Sequence, residues 1–171
     1  MKRVIAIVLL LVLLCLVPVT AAPAIDVSVS GTIDNMPFTP GQTSTNSSGI
    51  NLSISTSEIT TGWSLEVSDL SDDGKPPSNA GRLVEWDGSQ YVTPNPHVLG
   101  TNLTVTGYGE TDMNNYTAVL GPTGVIIESG STNNTWSDIP IIIKQYVDYN
   151  DLHLTGGNVY KTTITFKGTA T

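Results

Sequence analysis

In the stretch TTGWSLEVSDL, residues 60–70, Trp63, Leu65 and Val67 alternate with Ser64, Glu66 and Ser68. Successive side chains of a strand point to opposite faces, so the first three line one face and the others its reverse. A helix would scatter the same residues around its circumference, and the pattern therefore predicts a half-buried strand. The period recurs along the chain. Ile25, Val27 and Val29 alternate with Asp26, Ser28 and Ser30, and Ile50, Leu52 and Ile54 with Asn51, Ser53 and Ser55. Leu103 and Val105 share a face, as do Ile139, Ile141 and Ile143, with Lys144 pointing the other way. Tyr160, Thr162, Ile164 and Phe166 form a last such set, and Val84–Trp86 and Val125–Ile127 are shorter candidates.

Turn-forming pairs separate these runs: Pro40-Gly41, Asp73-Gly74, Asp87-Gly88, Gly121-Pro122 and Gly156-Gly157. Thr43–Gly49 and Ser71–Gly81 are polar and read as loops, the second stopped by Pro76-Pro77. Beyond the first residues no run sustains a 3.6-residue period. About seven to eight short strands divided by turns predict an all-β fold, an antiparallel two-layer sandwich of Ig-like or jelly-roll-like type. The abundant Thr, Val and Ile suit it, because branched side chains pack well on a pleated surface.

The N-terminus follows a different plan. Lys2 and Arg3 precede an apolar run from Val4 to Val17, Pro18 breaks it, and Ala21, Ala22 and Ala24 follow. This is the layout of a secretory signal peptide, with a leader helix over residues 1–24 and cleavage near 21–24. The run falls short of the ~20 residues that a membrane crossing needs. Residues 25–171 are then a single sandwich domain, secreted and extracellular at the cell surface.

Loss of the leader changes the composition. It removes Cys15, the only cysteine, so the mature chain has neither a disulfide nor a thiolate. It also leaves 5 basic against 15 acidic residues, a net charge of −10. Such a surface repels nucleic acid, whose phosphates require Lys and Arg, and keeps an exported protein soluble.

Trp63-Ser64-Leu65, preceded by Gly62 and continued by a Val-Ser strand end, resembles the GW-[ST]-L-x-V-S segment of secreted WxL-type and WxL-like surface domains. SVSGTI (28–33), the Pro40-Gly41 turn, Ile141–Gln145 and YKTTITFKGTA (160–170) are similar in position to other strands of such domains. The family in its strict sense carries a second W-x-L, which neither Trp86 nor Trp136 completes. The resemblance implies a noncatalytic structural or adhesive module that associates with an envelope polymer or with other surface proteins.

Chemistry-bearing residues are sparse. His97 and His153 are the only histidines, no G-x-S-x-G elbow occurs, and no pair of carboxylates is singled out, so no enzymatic activity is expected and no catalytic residue is assigned. Asp69, Ser71 and Asp73 at alternate positions, followed by Gly74, form a candidate calcium turn. Ala80 stands where a helix-flanked calcium loop would place Glu, and an ordinary acidic turn reads equally from these residues. No other cofactor is expected. Asn46, Asn51, Asn102, Asn115 and Asn133 each open an N-x-S/T glycosylation sequon, a triplet that a chain this rich in Asn, Ser and Thr also generates by composition.

Trp86, Tyr91, Tyr108, Tyr116 and Trp136 lie near turns. Exposed rings stack on sugars, which makes Trp86, Tyr91 and Trp136 candidate ligand-binding residues of a carbohydrate-binding module; burial in the core is the competing use of the same rings. A third reading is self-association into a filament, with Ile25–Ile33 adding to the sheet edge of a neighbouring subunit.

Overall fold

The computed structural model describes residues 21–31, 33, 36–46, 49–69, 74–107, 115–151, 153–154 and 156–171. The expected leader lies outside the described residues as far as Thr20.

Among the described residues there are eleven strands: β1 (Ala24–Ser30), β2 (Gln42–Asn46), β3 (Asn51–Ser57), β4 (Trp63–Ser68), β5 (Val84–Trp86), β6 (Thr104–Gly107), β7 (Tyr116–Val119), β8 (Val125–Gly130), β9 (Thr135–Val147), β10 (Val159–Lys161) and β11 (Thr165–Ala170). A single 3-10 turn, Pro77–Asn79, follows the Pro76-Pro77 break. Every strand pairing is antiparallel. The large sheet runs β1-β3-β9-β6-β7 with β2 joined to β9, a second runs β11-β4-β8, and β10-β5 form a small third sheet.

The two larger sheets bury their apolar faces against each other. Trp63, Leu65 and Val67 of β4 are 3%, 0% and 0% exposed. They meet Leu52 and Ile54 of β3, Val105 of β6 and Ile139, Ile141 and Ile143 of β9 in one core. The Trp63 and Trp136 rings pack at 5.5 Å between centroids across the layers, and the Trp63 indole N–H donates to the Thr132 carbonyl at 3.1 Å. The alternating W-x-L-x-V run therefore reads as core in both sequence and structure.

β9 carries the most pairing. Trp136 and Ile139 are three residues apart, which on an unbroken strand would put them on opposite faces. A bulge resets the alternation: Ile54 faces Trp136 and Leu52 faces Ile139, so Ser53 stands against two residues. Asp138 takes the left-handed conformation there, with φ of 57°, and its N–H donates to Ser53 Oγ at 3.3 Å. Ser137 and Asp138 both face solvent, while Trp136 and Ile139 both enter the core.

Three elements depart from the sequence reading. β2 falls in the polar stretch expected to be a loop. Only Ser44 of it is buried, and the strand exists because its backbone pairs with β9 from Gln42↔Val147 to Asn46↔Ile143. β7 pairs with β6 and buries Tyr116 and Ala118 without a long apolar run to mark it. The expected last strand divides into β10 and β11, which belong to different sheets.

β1 pairs with β3 through seven consecutive positions, from Ala24↔Ser57 to Ser30↔Asn51. Its Ile25 and Val27 pack on β11, where Gly168 is required: a Cβ there would come within 2.8 Å of both side chains. The run expected as a donor to neighbouring subunits therefore fills a place in its own sheet, and donation would require its exchange.

Tyr116 is 7% exposed, and its hydroxyl has no hydrogen-bond partner among the described residues. Burial pushes its phenol from 10.0 up to about 12. A raised folded value gives stability that is complete below pH 10.0 and is lost as pH climbs toward 12. Tyr116→Phe should therefore flatten the alkaline decline of stability, measured by urea unfolding between neutral pH and pH 12, and should not weaken the fold at neutral pH, because no hydrogen bond is removed. Trp136→Ala leaves a cavity between the sheets and should lower unfolding free energy by about 3–5 kcal/mol, read from denaturant midpoints.

Candidate binding site

One end of the sandwich is hollow. A cavity of about 540 Å³ lies between residues 36–40, which lead into β2, and Asp151, His153, Leu154 and residues 158–164, which include β10. Its floor is made by core residues Leu83, Leu99, Leu103, Ile143 and Val147. The lining is mainly aliphatic, with His153 and Asp151 among its polar members. Phe38 meets the Tyr160 ring edge-on at 6.1 Å on one wall.

β10 forms this wall by pairing with β5: Val159↔Trp86, Tyr160↔Glu85 and Lys161↔Val84. On β5 the half-buried Trp86 packs edge-to-face with the buried Tyr91 at 5.1 Å. Lys161 Nζ stands 3.5 Å from the Trp86 ring centroid, a cation–π contact, and 6.0 Å from that of Tyr91. At exposed sites such a contact contributes about 0.5–1 kcal/mol.

Glu85, between these aromatics and the cavity wall, is 6% exposed. Its Oε2 accepts the His97 backbone N–H at 3.0 Å and lies 3.3 Å from His97 Nδ1. Its Oε1 accepts from Asn158 Nδ2 at 2.6 Å. These contacts, the His97 backbone bond foremost, then the Asn158 bond and the His97 charge, hold the carboxyl below its ordinary value against the opposing effect of desolvation. Opposite it, the Tyr160 phenol is pushed up by burial first and then by the negative charges of Asp151 and Glu85. Asp151 is itself a loop fastener, accepting Gly100 N–H at 2.8 Å and Asp148 N–H at 2.7 Å. Asp87 is held below its ordinary value by N–H donors of Gln90 and Ser89 in its own turn.

A second polar cluster centres on a buried ion pair. Asp69 at the end of β4 pairs with Lys75, the side chains being 0% and 3% exposed. Asp69 Oδ2 also accepts the Gly81 N–H, and Oδ1 accepts the Thr162 hydroxyl at 2.7 Å. Lys75 Nζ donates to Thr162 Oγ1 at 2.6 Å and to the Arg82 carbonyl at 3.3 Å.

The residues singled out from sequence divide accordingly. Trp86 and Tyr91 come together beside the cavity, but Trp136 does not join them: at 7% exposure its ring is part of the core. Asp69 turns inward to Lys75, and Ser71 and Asp73 lie outside the described residues, as does Tyr108. Among the described residues no three His, Cys, Asp or Glu side chains gather as a metal site. His97 serves Glu85, and the exposed His153 lines the cavity.

Of the sequons, Asn102 is built into the fold: its Nδ2, the atom a glycan would take, donates to the Leu120 carbonyl at 2.6 Å, and its Oδ1 accepts from Arg82 Nε at 3.2 Å. Asn51 lies in β3 between two paired strands, and Asn46 in β2 beside β9. Asn115 and Asn133 are exposed. Glu85, Asn158, Tyr160 and Lys161 were not singled out beforehand; the one signal in sequence was a carboxylate set between two apolar residues in Val84–Trp86.

The fold defines an antiparallel all-β sandwich with a cavity of mixed aliphatic and polar lining beside β10. No family model, curated protein or solved structure matches the chain.

A depressed carboxylate contributes stability above its ordinary value of 4.5 that is lost as pH falls through its lower folded value. Acidification below 4.5 should therefore lower the protection factor of the His97 amide, its exchange rate measured relative to the unstructured chain at the same pH, and Glu85→Gln should remove that acid dependence.

Proposed function

We propose that this chain is an exported, noncatalytic module of the cell surface, structural or adhesive in role, that associates with an envelope polymer or with other surface proteins. The observation that carries the reading is the use made of its chemistry-bearing groups. Asp69, Lys75, Glu85 and Asp151 are each engaged by donors or acceptors of the chain itself. Carboxylates fastened to backbone amides hold loops in place and are poor general bases, because a base must reach its substrate proton. The acidic mature composition and the leader fit export. The resemblance to WxL-like domains fits the same role, with Trp63 and Leu65 serving as core.

A carbohydrate-binding reading has its own support in the half-buried Trp86, set with Tyr91 and Lys161 at the cavity wall. Aromatic rings flanked by polar groups are suited to stacking on sugars.

Incubating the mature protein with isolated cell envelopes, with and without their polysaccharide, and probing a glycan array separates the two readings. The surface-module reading expects retention by envelopes that Trp86→Ala leaves unchanged. The carbohydrate reading expects a glycan signal that Trp86→Ala reduces at least tenfold, about 1.4 kcal/mol. Absence of any retention would count against both.

A further inference from the structure

We infer that Lys75 and Asp69 become joined by an intramolecular amide bond between Nζ and Cγ once the chain has folded. The two side chains are in direct contact and are 3% and 0% exposed. An amine and a carboxyl group are thereby held together in a site closed to bulk water, which favours a condensation that expels water. Holding two reactants in contact removes much of the entropic barrier to their reaction.

The surrounding groups supply what the step needs. The Gly81 N–H donates to Asp69 Oδ2, where negative charge grows when an amine adds to Cγ. The Thr162 hydroxyl bridges nucleophile and leaving oxygen, accepting from Lys75 Nζ at 2.6 Å and donating to Asp69 Oδ1 at 2.7 Å. The Arg82 carbonyl, 3.3 Å from Nζ, orients the amine.

A proton first passes from Nζ to Oδ1 through Thr162 Oγ1, leaving a neutral amine and a neutral carboxyl group. The nitrogen lone pair then attacks Cγ and the N–C bond forms, with charge gathering on Oδ2 against the Gly81 N–H. A second proton travels from nitrogen to Oδ1 by the same hydroxyl. The Cγ–Oδ1 bond breaks, water leaves, and the carbonyl re-forms at Oδ2. An ammonium and a carboxylate have become a secondary amide and one water; nothing is oxidised or reduced, and no co-reactant is consumed. The product would tie the end of β4 to the start of the Pro76-Pro77 segment.

The test is the mass of the folded, exported protein after denaturation and digestion with a glutamate-specific protease. Cleavage after Glu66 and Glu85 yields a fragment of residues 67–85 that contains both groups and no sequon. The fragment should be lighter than its sequence mass by about 18 Da, one water. Tandem fragmentation should release no ions from backbone breaks between Asp69 and Lys75, because the two halves stay joined. Asp69→Ala, which removes the acyl carbon, should give the fragment at its full sequence mass. Thr162→Val should leave a substantial unlinked fraction while circular dichroism is unchanged. A full-mass fragment from folded natural protein overturns the proposal. So does a deficit that persists in Lys75→Arg, which would mark a cyclic imide at Asp73-Gly74 instead.

Discussion

The large sheet depends on keeping β9 in one register over thirteen residues. β3 pairs with its first half, β2 with its second, and β6 pairs from the other side. A strand with neighbours on both edges has no freedom to slip, because a shift of one residue would turn its whole apolar set outward. The sequence of β9 does not satisfy one unbroken alternation. Trp136 would belong to one face and Ile139, Ile141 and Ile143 to the other. The bulge at Ser137-Asp138 absorbs the extra residue and brings both sets into the same core. Asp tolerates the left-handed conformation better than a branched residue, since its short polar side chain bonds locally. The contact of Trp136 with Trp63 that ties the two layers together follows from that one inserted position.

Buried polar groups fix the parts that alternation leaves undetermined. The segment between β4 and β5 has little apolar content, so hydrophobic burial alone would not select its path. Asp69, Lys75 and Thr162 do so, joining the end of β4, the approach to the 3-10 turn and the link between β10 and β11. A buried ion pair is a poor source of net stability, because desolvation offsets the Coulomb gain, but its loss on one side is severe. Such a cluster therefore penalises alternative loop arrangements more than it lowers the energy of the native one. Gln145 has a similar part inside β9: at 0% exposure its side-chain N–H groups meet the Thr101 carbonyl and hydroxyl and the Tyr146 carbonyl.

Strands with a continuous apolar face were legible in the sequence, and those held by backbone pairing were not. Trp63-Leu65-Val67 and Leu52-Ile54 announce their burial by spacing alone. β2 has almost no apolar side chain, and what makes it a strand is the free edge of β9, a partner about a hundred residues away in sequence. The division of Tyr160–Phe166 was hidden for a related reason. Its alternation continues through Thr162 and Ile164, but the two ends pair with different partners, β5 and β4, and no local pattern encodes a change of partner. The site was legible in part. Trp86 and Tyr91 are near in sequence and meet in space, whereas Trp136 looked like a loop residue only because the bulge that turns it inward is invisible to a period of two. Lys161 and Asn158 reach the site from more than sixty residues away.

The position of Lys161 bears on what the end of the sandwich can bind. Its ammonium lies over the Trp86 ring, where a sugar would stack. A cation–π contact that is partly open to solvent is weak, about 0.5–1 kcal/mol, and Lys has a flexible stem that swings aside readily. The lysine thus covers the Trp86 ring in this structure, and any ligand stacking on that ring would have to displace it. The neighbouring cavity, floored by Leu83, Leu99 and Leu103, has a different lining of mixed aliphatic and polar side chains. The same end of the fold therefore has two adjacent surfaces of different chemistry, with β10 as the wall between them.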